Sequence, residues 1–210
     1  ATERFHTLAG DIQQTEAELS HVSDLMAAVV QYAKTRPAFD GYKAAKYSRK
    51  YLAEHEAELA MVVGKVCRNL TPEEAEESLF GFTCANDVTA REVQKVDPLI
   101  GHCKSYDTFC PIGPWIETEL EDINDLSIRC LVNGEVRQSA NTGDMIFRPL
   151  DLLCFLSRVM TLMPGDVILT GTPPGISPIQ ADDVVQVSIE GIGTLSNPVE
   201  GPGPEEKILQ

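Results

Sequence analysis

Three acidic residues beside two apolar segments have the types and spacing of a metal site. Glu56 and Glu58 stand two positions apart at the start of segment 56–63, which alternates and then becomes continuously apolar, like a strand that enters a core. Side chains i and i+2 of a strand project from one face, so both carboxylates point the same way. Asp87 ends a second apolar segment, 81–87. Spacing alone leaves a solvent-facing pair on an edge strand as the alternative.

A set of two glutamates and one aspartate offers only oxygen ligands. Such a set suits Mg²⁺ or Mn²⁺, or Ca²⁺ as a substitute with more ligands, and does not suit Zn²⁺, which prefers His or Cys. Carboxylates that converge in an apolar region repel each other unless a proton or a cation intervenes. Three carboxylates on an octahedral ion leave roughly three positions for water or substrate.

One lysine and one glycine-proline loop are the other candidates for chemistry. Lys104 lies among Gly, Pro and aromatic residues in segment 102–111. It is either a surface cation or a group that holds an anionic substrate or stabilises a developing enolate. The loop Gly-Thr-Pro-Pro-Gly at 171–175 follows an apolar strand, where a rigid loop offers backbone N–H groups and the Thr172 hydroxyl to a ligand. A tight turn without function is the alternative.

The charge balance limits the partners. The chain has 210 residues, with 17 Lys and Arg against 32 Asp and Glu, for a formal charge of −15. This argues against nucleic acid, which needs clustered cations, but is compatible with a small anionic substrate held by one local cation or metal. No apolar run reaches the roughly 18 residues of a membrane span, and no signal peptide is evident. We therefore expect a cytoplasmic protein whose six cysteines are reduced, buried thiols.

The first fifty-four residues differ in pattern from the rest. Apolar positions within 12–35 fit one face of a helix, which Pro37 and Gly41 end. Segment 43–54 is basic and rich in tyrosine, and is either a solvated face or a mobile segment that closes over a site. The sequence thus predicts a helical N-terminal segment, 1–54, before the main domain.

From residue 56 onward, short strands alternate with turn signals. Thr71 and Glu74 form a capping box that starts a helix running to about Phe80, and Asn133-Gly134 predicts a type I′ hairpin. Further expected elements are strands at 81–87, 127–132, 135–139, 166–170, 183–190 and 193–199, a helical turn at 89–94 and a helix at 149–161. The order favours a β-rich α+β domain over a doubly wound parallel sheet.

Six segments, in this order, resemble the fumarylacetoacetate hydrolase family. They are Glu-Ala-Glu-Leu-Ala-Met-Val-Val-Gly at 56–64, Gly-Phe-Thr-Cys-Ala-Asn-Asp-Val-Thr-Ala-Arg at 81–91 with Gln94, Lys-Ser-Tyr-Asp-Thr-Phe-Cys-Pro at 104–111, and segments 131–138, 145–147 and 164–175. The resemblance implies a catalytic domain over 55–205 with the fold of the family's C-terminal domain, a β-rich mixed-sheet roll, and a homodimer or larger assembly.

The resemblance also implies residue roles. The family's metal carboxylates are matched by Glu56, Glu58 and Asp87, and its substrate-contacting positions by Arg91 and Gln94. Lys104 matches its catalytic lysine, which lies near the metal and also contacts the substrate. Thr172 matches its substrate-binding threonine. Family substrates are small 2-oxo and β-diketo acids that chelate the metal, a Lewis acid that stabilises an enolate. The resemblance favours a C–C bond hydrolase or lyase, with a 2-hydroxyhepta-2,4-diene-1,7-dioate isomerase, an oxaloacetate decarboxylase or a non-catalytic metal and dicarboxylate binder as alternatives.

One departure concerns the general base. Family members that cleave or decarboxylate usually carry an N-terminal Asn-Tyr-Ala-Asp-His-like segment whose histidine works with a glutamate. The nearest match here is Gln-Tyr-Ala-Lys-Thr at 31–35, with Thr35 in place of the histidine. His55 adjoins the metal strand but is expected to point to the face opposite Glu56. Three alternatives follow: the base comes from elsewhere, the N-terminal segment has diverged or been truncated, or the chemistry is impaired.

Overall fold

A computed structural model describes residues 53–97 and 99–200 of the chain. The helix expected within 12–35 and most of the basic segment 43–54 lie outside the described residues. The division of the chain at residues 54 and 55 therefore stays a prediction.

The described residues form eleven strands and three short helices. The strands are β1 (Ala53–Glu54), β2 (Ala57–Val63), β3 (Leu79–Asn86), β4 (Thr89–Ala90), β5 (Ile112–Glu117), β6 (Ser127–Val132), β7 (Glu135–Asn141), β8 (Val167–Leu169), β9 (Pro178–Ile179), β10 (Val184–Ile189) and β11 (Gly193–Pro198). The helices are α1 (Pro72–Glu77), α2 (Arg91–Val96) and α3 (Pro149–Val159), with 3₁₀ turns at Ile100–Cys103 and Thr142–Asp144. This composition confirms the β-rich α+β class.

The strands form three sheets with antiparallel pairing between neighbours. The orders are β5-β3-β2-β8, β11-β10-β6-β7 and β4-β1-β9. In the first sheet β2 lies between β3 and β8, and every residue of β2 is buried. A strand buried on both faces reads as a continuous apolar run, which explains the pattern of segment 56–63.

Two apolar clusters fix β2 in the protein. Ala57 and Leu59, at its start, belong to a core shared with the second sheet, whose contributors include Ile128, Cys130, Val185 and Val187. Met61 and Val63, at its end, pack in a second cluster with side chains of the helices, among them Ala75 and Leu153. The strand that begins with the acidic residues is thus held along its whole length by buried apolar contacts.

The local turn and cap predictions are confirmed. Asn133 and Gly134 have φ values of 54° and 82°, as a type I′ turn requires, and join β6 to β7. At the start of α1, the Thr71 hydroxyl accepts from the Glu74 amide at 3.3 Å and the Glu74 carboxylate accepts from the Thr71 amide at 2.9 Å. Both signals are local, so the sequence is sufficient to predict them.

Several element boundaries differ from the predictions. The first helix ends at Glu77 and not at about Phe80, because Leu79 pairs with Val63 at the start of β3. Within 89–94 the first two residues form β4, and the helix occupies Arg91–Val96. Strand β8 is three residues long and only Ile168 in it is buried, since it is the edge strand beside β2.

The remaining global expectations concern thiols and membranes. All six cysteines are free thiols; five are buried and Cys110 is half-buried. Within 53–97 and 99–200, no helix has both the length and the apolar character needed to cross a bilayer.

Candidate metal centre and active site

The antiparallel pairing of β2 with β3 brings the three predicted acids together. Ala57 pairs with Asn86, so Glu56 just before β2 and Glu58 within it meet Asp87 just beyond the end of β3. One carboxylate oxygen of each acid lies within 4.8 Å of the others. The three residues are only 7%, 3% and 9% exposed, so the alternative of a solvent-facing pair is wrong.

Backbone hydrogen bonds hold this corner. The Asp87 amide donates to the Glu56 carbonyl at 2.8 Å, and the Glu56 amide donates to Asn86 Oδ1 at 2.9 Å. Asn86 is buried and had no predicted role, although its place beside Asp87 at a strand end was a usable signal. The two segments that carry the acids therefore cannot separate without breaking both bonds.

Lys104 places its ammonium among the acids. It follows the 3₁₀ turn Ile100–Cys103, and its Nζ donates to Glu56 Oε2 at 2.9 Å, to Thr89 Oγ1 at 3.0 Å and to Asp87 Oδ2. Burial acts to lower the pKa of Lys104, but the hydrogen bonds to Asp87 and Glu56 outweigh it and raise the pKa above its ordinary value. Lys104 is therefore a permanent cation of the site and not a free surface lysine.

Arg91 opens α2 and binds three side chains. Its Nη2 donates to Glu56 Oε1 at 2.5 Å, its Nε to Glu54 Oε2 at 2.8 Å and its Nη1 to Gln94 Oε1 at 2.6 Å. Burial acts to raise the pKa of Glu56, but Lys104 and Arg91 outweigh it and the pKa is lowered. Glu54 was not predicted as part of the site, because only the fold brings β1 beside the start of α2.

Glu58 has a different environment from Glu56. Its Oε2 accepts the Gly171 amide at 2.6 Å, at the start of the loop 171–175. Burial raises the pKa of Glu58 to about 7, against the hydrogen bond from Gly171 and with a contribution from the charge of Asp87. A carboxylate whose charge is disfavoured by burial and by a like charge is one that a bound cation stabilises.

The charges of the site fit one divalent cation. Four carboxylates and two side-chain cations meet here, and they leave two negative charges when all six groups are ionised. The carboxylates are those of Glu54, Glu56, Glu58 and Asp87, and the cations are Arg91 and Lys104. Because every candidate ligand atom is a carboxylate oxygen, the donor set is that of a hard ion.

Thr172 lies in the glycine-proline loop, with its hydroxyl already engaged. Its Oγ1 donates to the Ala57 carbonyl at 2.9 Å and accepts from Gln138 Nε2 at 2.8 Å. The hydroxyl therefore joins the loop to β2, and its role in substrate binding stays a prediction. Gln138 was not predicted as a site residue. It is only 1% exposed, although most residues of its strand β7 are exposed, and such a buried glutamine indicates a structural constraint.

The two histidines in the described part of the chain have other partners. His55 is fully buried, with Nδ1 at 3.0 Å from Gln138 Oε1 and Nε2 at 2.9 Å from Ser177 Oγ. Burial lowers its pKa below the ordinary value. His102 is exposed and its Nδ1 lies 2.5 Å from Asp97 Oδ2. The expectation that His55 is directed away from the Glu56 carboxylate agrees with these contacts.

The loop 171–175 packs tightly on β7 through Gly175, and this gives a first prediction. Gly175 has a φ of +107°, and a Cβ added there would lie 2.3 Å from the Arg137 carbonyl oxygen. Gly165→Ala is a matched control, because Gly165 has a φ of +90° with open space around its Cβ position. We expect Gly175→Ala to reduce the free energy of unfolding by at least about 1 kcal/mol more than Gly165→Ala, in denaturant titrations. Equal losses of the free energy of unfolding in the two variants would contradict the close packing of Gly175 against β7.

A second prediction concerns Glu54, which binds Arg91 without joining the three acids. Glu54→Gln keeps the size of the side chain and removes one negative charge next to Arg91. We expect Mn²⁺ affinity to fall about 10-fold, the lower end of the range for residues that support metal ligands. The control is Glu135→Gln, which makes the same charge change at an exposed pair with Arg137. Equal Mn²⁺ affinities of the two variants, measured by isothermal titration, would exclude this role of Glu54.

The fold and the acidic site together are those of a β-rich domain that can hold a divalent metal. The profile of the family described as fumarylacetoacetate (FAA) hydrolase C-terminal matches residues 16–200. The chain belongs to the fumarylacetoacetate hydrolase family. The family resemblance drawn from the sequence is thereby confirmed.

Similar proteins include enzymes of several kinds. The structure of 5-carboxymethyl-2-hydroxymuconate delta-isomerase from Mycobacterium smegmatis matches with a TM-score of 0.71 and 46% identity, over 73% of this chain and 61% of that one. Maleylpyruvate hydrolase from Sphingobium sp. SYK-6, in complex with manganese(II) and pyruvate, matches with a TM-score of 0.70 and 34% identity, over 78% and 60%. The mitochondrial oxaloacetate tautomerase of Xenopus laevis is 43% identical over 157 residues, 69% of this chain and 49% of the relative.

The comparisons cover only part of these relatives. This chain spans between 49% and 61% of the length of the relatives described above. An isomerase, a hydrolase and a tautomerase are among them, so the family supports enzymatic activity without specifying one reaction.

Proposed function

We propose that this chain carries the metal-binding part of an enzyme that acts on a small 2-oxo carboxylic acid. Mg²⁺ or Mn²⁺ would be held by Glu56, Glu58 and Asp87, with Ca²⁺ as a substitute. The observation that carries the proposal is the convergence of these three buried carboxylates within 4.8 Å, beside the ammonium of Lys104. A divalent cation bound there would supply Lewis-acid polarisation of substrate oxygens.

Lys104 contributes a charged donor whose position is fixed. A lysine ammonium has three N–H donors, and here they are directed at Glu56, Asp87 and Thr89. This arrangement holds the two carboxylates at a set separation. A substrate oxygen that replaces one of the three acceptors receives a charged hydrogen bond, which strengthens as negative charge develops on that oxygen.

Arg91 and Gln94 are the groups proposed to recognise the substrate carboxylate. Three of the five guanidinium N–H donors of Arg91 have partners among the described residues, in Glu54, Glu56 and Gln94. Two donors remain for an anion, and the contact with Glu56 sets their direction. The proposal therefore places the carboxylate end of the substrate on the Arg91 side of the acids.

Among the reactions, proton transfer next to the 2-oxo group leads our proposal. The tautomerase and the isomerase are 43% and 46% identical to this chain, and neither reaction requires an activated water, for which the expected histidine has no match in the sequence. In keto–enol exchange a base, such as a water molecule, removes the proton from the carbon next to the carbonyl, the polarised carbonyl and the charged Lys104 stabilise the resulting enolate, and the proton returns to the enolate oxygen. This order differs from that of the sequence analysis, which ranks C–C bond cleavage first.

C–C bond hydrolysis is the second candidate function. The specific observation in its favour is the likeness to maleylpyruvate hydrolase, solved with manganese(II) and pyruvate, which covers 78% of this chain. The metal and substrate-carboxylate contacts proposed above serve this reaction equally well. A homodimer and a cytoplasmic location, both expected from the sequence, stay predictions.

The test is metal-dependent turnover of a small set of substrates. The purified chain, with Mg²⁺, with Mn²⁺ or with chelator, is assayed on oxaloacetate for enol–keto exchange and for decarboxylation, on 2-hydroxyhepta-2,4-diene-1,7-dioate and on acylpyruvates. We expect turnover of at least one substrate that chelator and Glu58→Ala both abolish. Metal binding without turnover of any of them would favour the non-catalytic binder, and absence of metal binding would overturn the proposed site.

A further inference from the structure

Gln138 makes four buried hydrogen bonds and has no part of its own in the proposed reaction. It lies in β7, in the second sheet, and is 1% exposed. Its Oε1 accepts from the Ala57 amide at 3.1 Å and is 3.0 Å from His55 Nδ1. Its Nε2 donates to Thr172 Oγ1 at 2.8 Å and to the Pro173 carbonyl at 2.6 Å. These four contacts use the full capacity of a carboxamide, two acceptor sites and two donors.

The partners of Gln138 allow one arrangement of the network. A backbone amide such as that of Ala57 only donates and a carbonyl such as that of Pro173 only accepts, so they determine which end of the carboxamide is which. Since Oε1 only accepts, Nδ1 of His55 has a proton, and in the neutral imidazole, which burial favours, Nε2 accepts from the Ser177 hydroxyl. The Thr172 hydroxyl accepts from Gln138 and donates its hydrogen to the Ala57 carbonyl.

The backbone and loop groups bonded to Gln138 are next to those that orient the Glu58 carboxylate. Ala57 lies between two of the proposed metal ligands in the chain. Thr172 follows Gly171, whose amide donates to Glu58 Oε2 at 2.6 Å. One carboxamide thus joins the start of β2 to the loop 171–175. It acts beside the direct bonds of Thr170 to the Leu59 carbonyl and of Thr172 to the Ala57 carbonyl, and these contacts together set the distance between Glu58 and the Gly171 amide.

We infer that Gln138 is a positioning residue for the metal site, acting through the Gly171 amide on the Glu58 carboxylate. This inference rests on the proposed function. A buried network with every partner satisfied has a single geometry, whereas loss of the carboxamide leaves the Ala57 amide and the Pro173 carbonyl without these partners and removes two of the bonds that hold the loop. Glu58 then loses the orientation in which it meets the other two acids.

The test measures Mn²⁺ binding without substrate, from the free Mn²⁺ signal in electron paramagnetic resonance. Gln138→Met keeps the length of the side chain and removes all four hydrogen bonds. Val187→Ala is the control, because Val187 is 1% exposed in the same core but contacts none of these groups through hydrogen bonds. We expect both variants to melt at lower temperature, and only Gln138→Met to bind Mn²⁺ about 10-fold or more weakly, the range for residues that orient metal ligands.

A milder pair of variants keeps the test valid if Gln138→Met does not fold. Thr172→Val removes one of the four bonds of Gln138 together with the bond from Thr172 to the Ala57 carbonyl, and Thr172→Ser retains the hydroxyl that makes both. We expect weaker Mn²⁺ binding by the valine variant and wild-type affinity for the serine variant, since no substrate is present for Thr172 to contact.

The outcomes separate the inference from the proposed function. If the wild type binds Mn²⁺ and the affinities of Gln138→Met, or of Thr172→Val, match that of Val187→Ala, Gln138 has only a structural role and the inference is overturned while the proposed metal site stands. If the wild type does not bind Mn²⁺, the proposed function and the inference both fail.

Discussion

Glu58→Ala is expected to weaken Mn²⁺ binding by more than about 100-fold, because loss of a ligand itself exceeds the 10- to 100-fold effect of losing a supporting residue. Glu58 is 3% exposed and its Oε2 accepts the Gly171 amide at 2.6 Å, so its carboxylate is held in place beside the other two acids. Isothermal titration with MnCl₂ measures the loss. We expect turnover to fall together with Mn²⁺ affinity, since the Glu58 carboxylate is required for the metal to bind.

The neutral variant Glu58→Gln distinguishes a metal ligand from a structural residue. In the metal-free protein this substitution removes a charge that burial and the charge of Asp87 disfavour. Its melting temperature without metal is therefore expected to equal or exceed that of the wild type, whereas added Mn²⁺ raises the melting temperature of the wild type alone. A large loss of stability without metal would instead indicate that the Glu58 carboxylate serves the fold.

The control for both Glu58 variants is Glu119→Ala, which removes one acidic charge from an exposed loop. This control measures how far the loss of one negative charge from a strongly acidic protein changes Mn²⁺ affinity by itself. Wild-type Mn²⁺ affinity in Glu58→Ala, or a loss in Glu119→Ala of the same size, would refute the assignment of Glu58 as a ligand.

Lys104→Met is expected to reduce turnover by about 100- to 1000-fold, the usual effect of removing one donor from a developing negative charge. Lys104 is the residue whose ammonium contacts Glu56, Asp87 and Thr89, so its loss also leaves two buried carboxylates with less compensating charge. The metal-free variant should melt at lower temperature than the wild type. Mn²⁺ should raise its melting temperature by more than it raises that of the wild type, because the ion neutralises the same carboxylates.

Lys104→Arg and Lys65→Met are the comparisons for this prediction. Arginine keeps the charge, but its planar fork does not match three acceptors around one nitrogen, so turnover should stay well below that of the wild type. Lys65 is exposed, and its loss changes only the net charge. Wild-type kcat in Lys104→Met, together with unchanged stability, would show that the ammonium has no part in the reaction.

The strands and turns that local patterns specify were predictable from the sequence. Strand β10 alternates Val185, Val187 and Ile189 with polar residues, and those three side chains are buried in the structure. The Asn133-Gly134 turn depends on two residues that tolerate positive φ. The turn is decided by interactions within a few residues, and the alternation of β10 can be read from neighbouring residues, so the local sequence is sufficient to predict both elements.

The sheet of β4, β1 and β9 could not be predicted in this way. Each of its strands has two residues, too few for an alternating pattern, and their partners are remote in the chain. This sheet places Glu54 beside Arg91, a contact between positions 37 residues apart. Pairing at such distances is determined by the packing of the whole domain.

The sequence by itself determined the types of residue available for metal chemistry, because a resemblance over six ordered segments identified Glu56, Glu58, Asp87 and Lys104 as candidates. Only the tertiary structure decided that these acids are buried around one ammonium, since their convergence requires β2 and β3 to pair in one register. It also decided the role of Gln138, whose four partners come from two separate stretches of chain, both remote from it. Side-chain type is a local property, whereas burial and hydrogen-bond partners depend on what the rest of the chain places nearby.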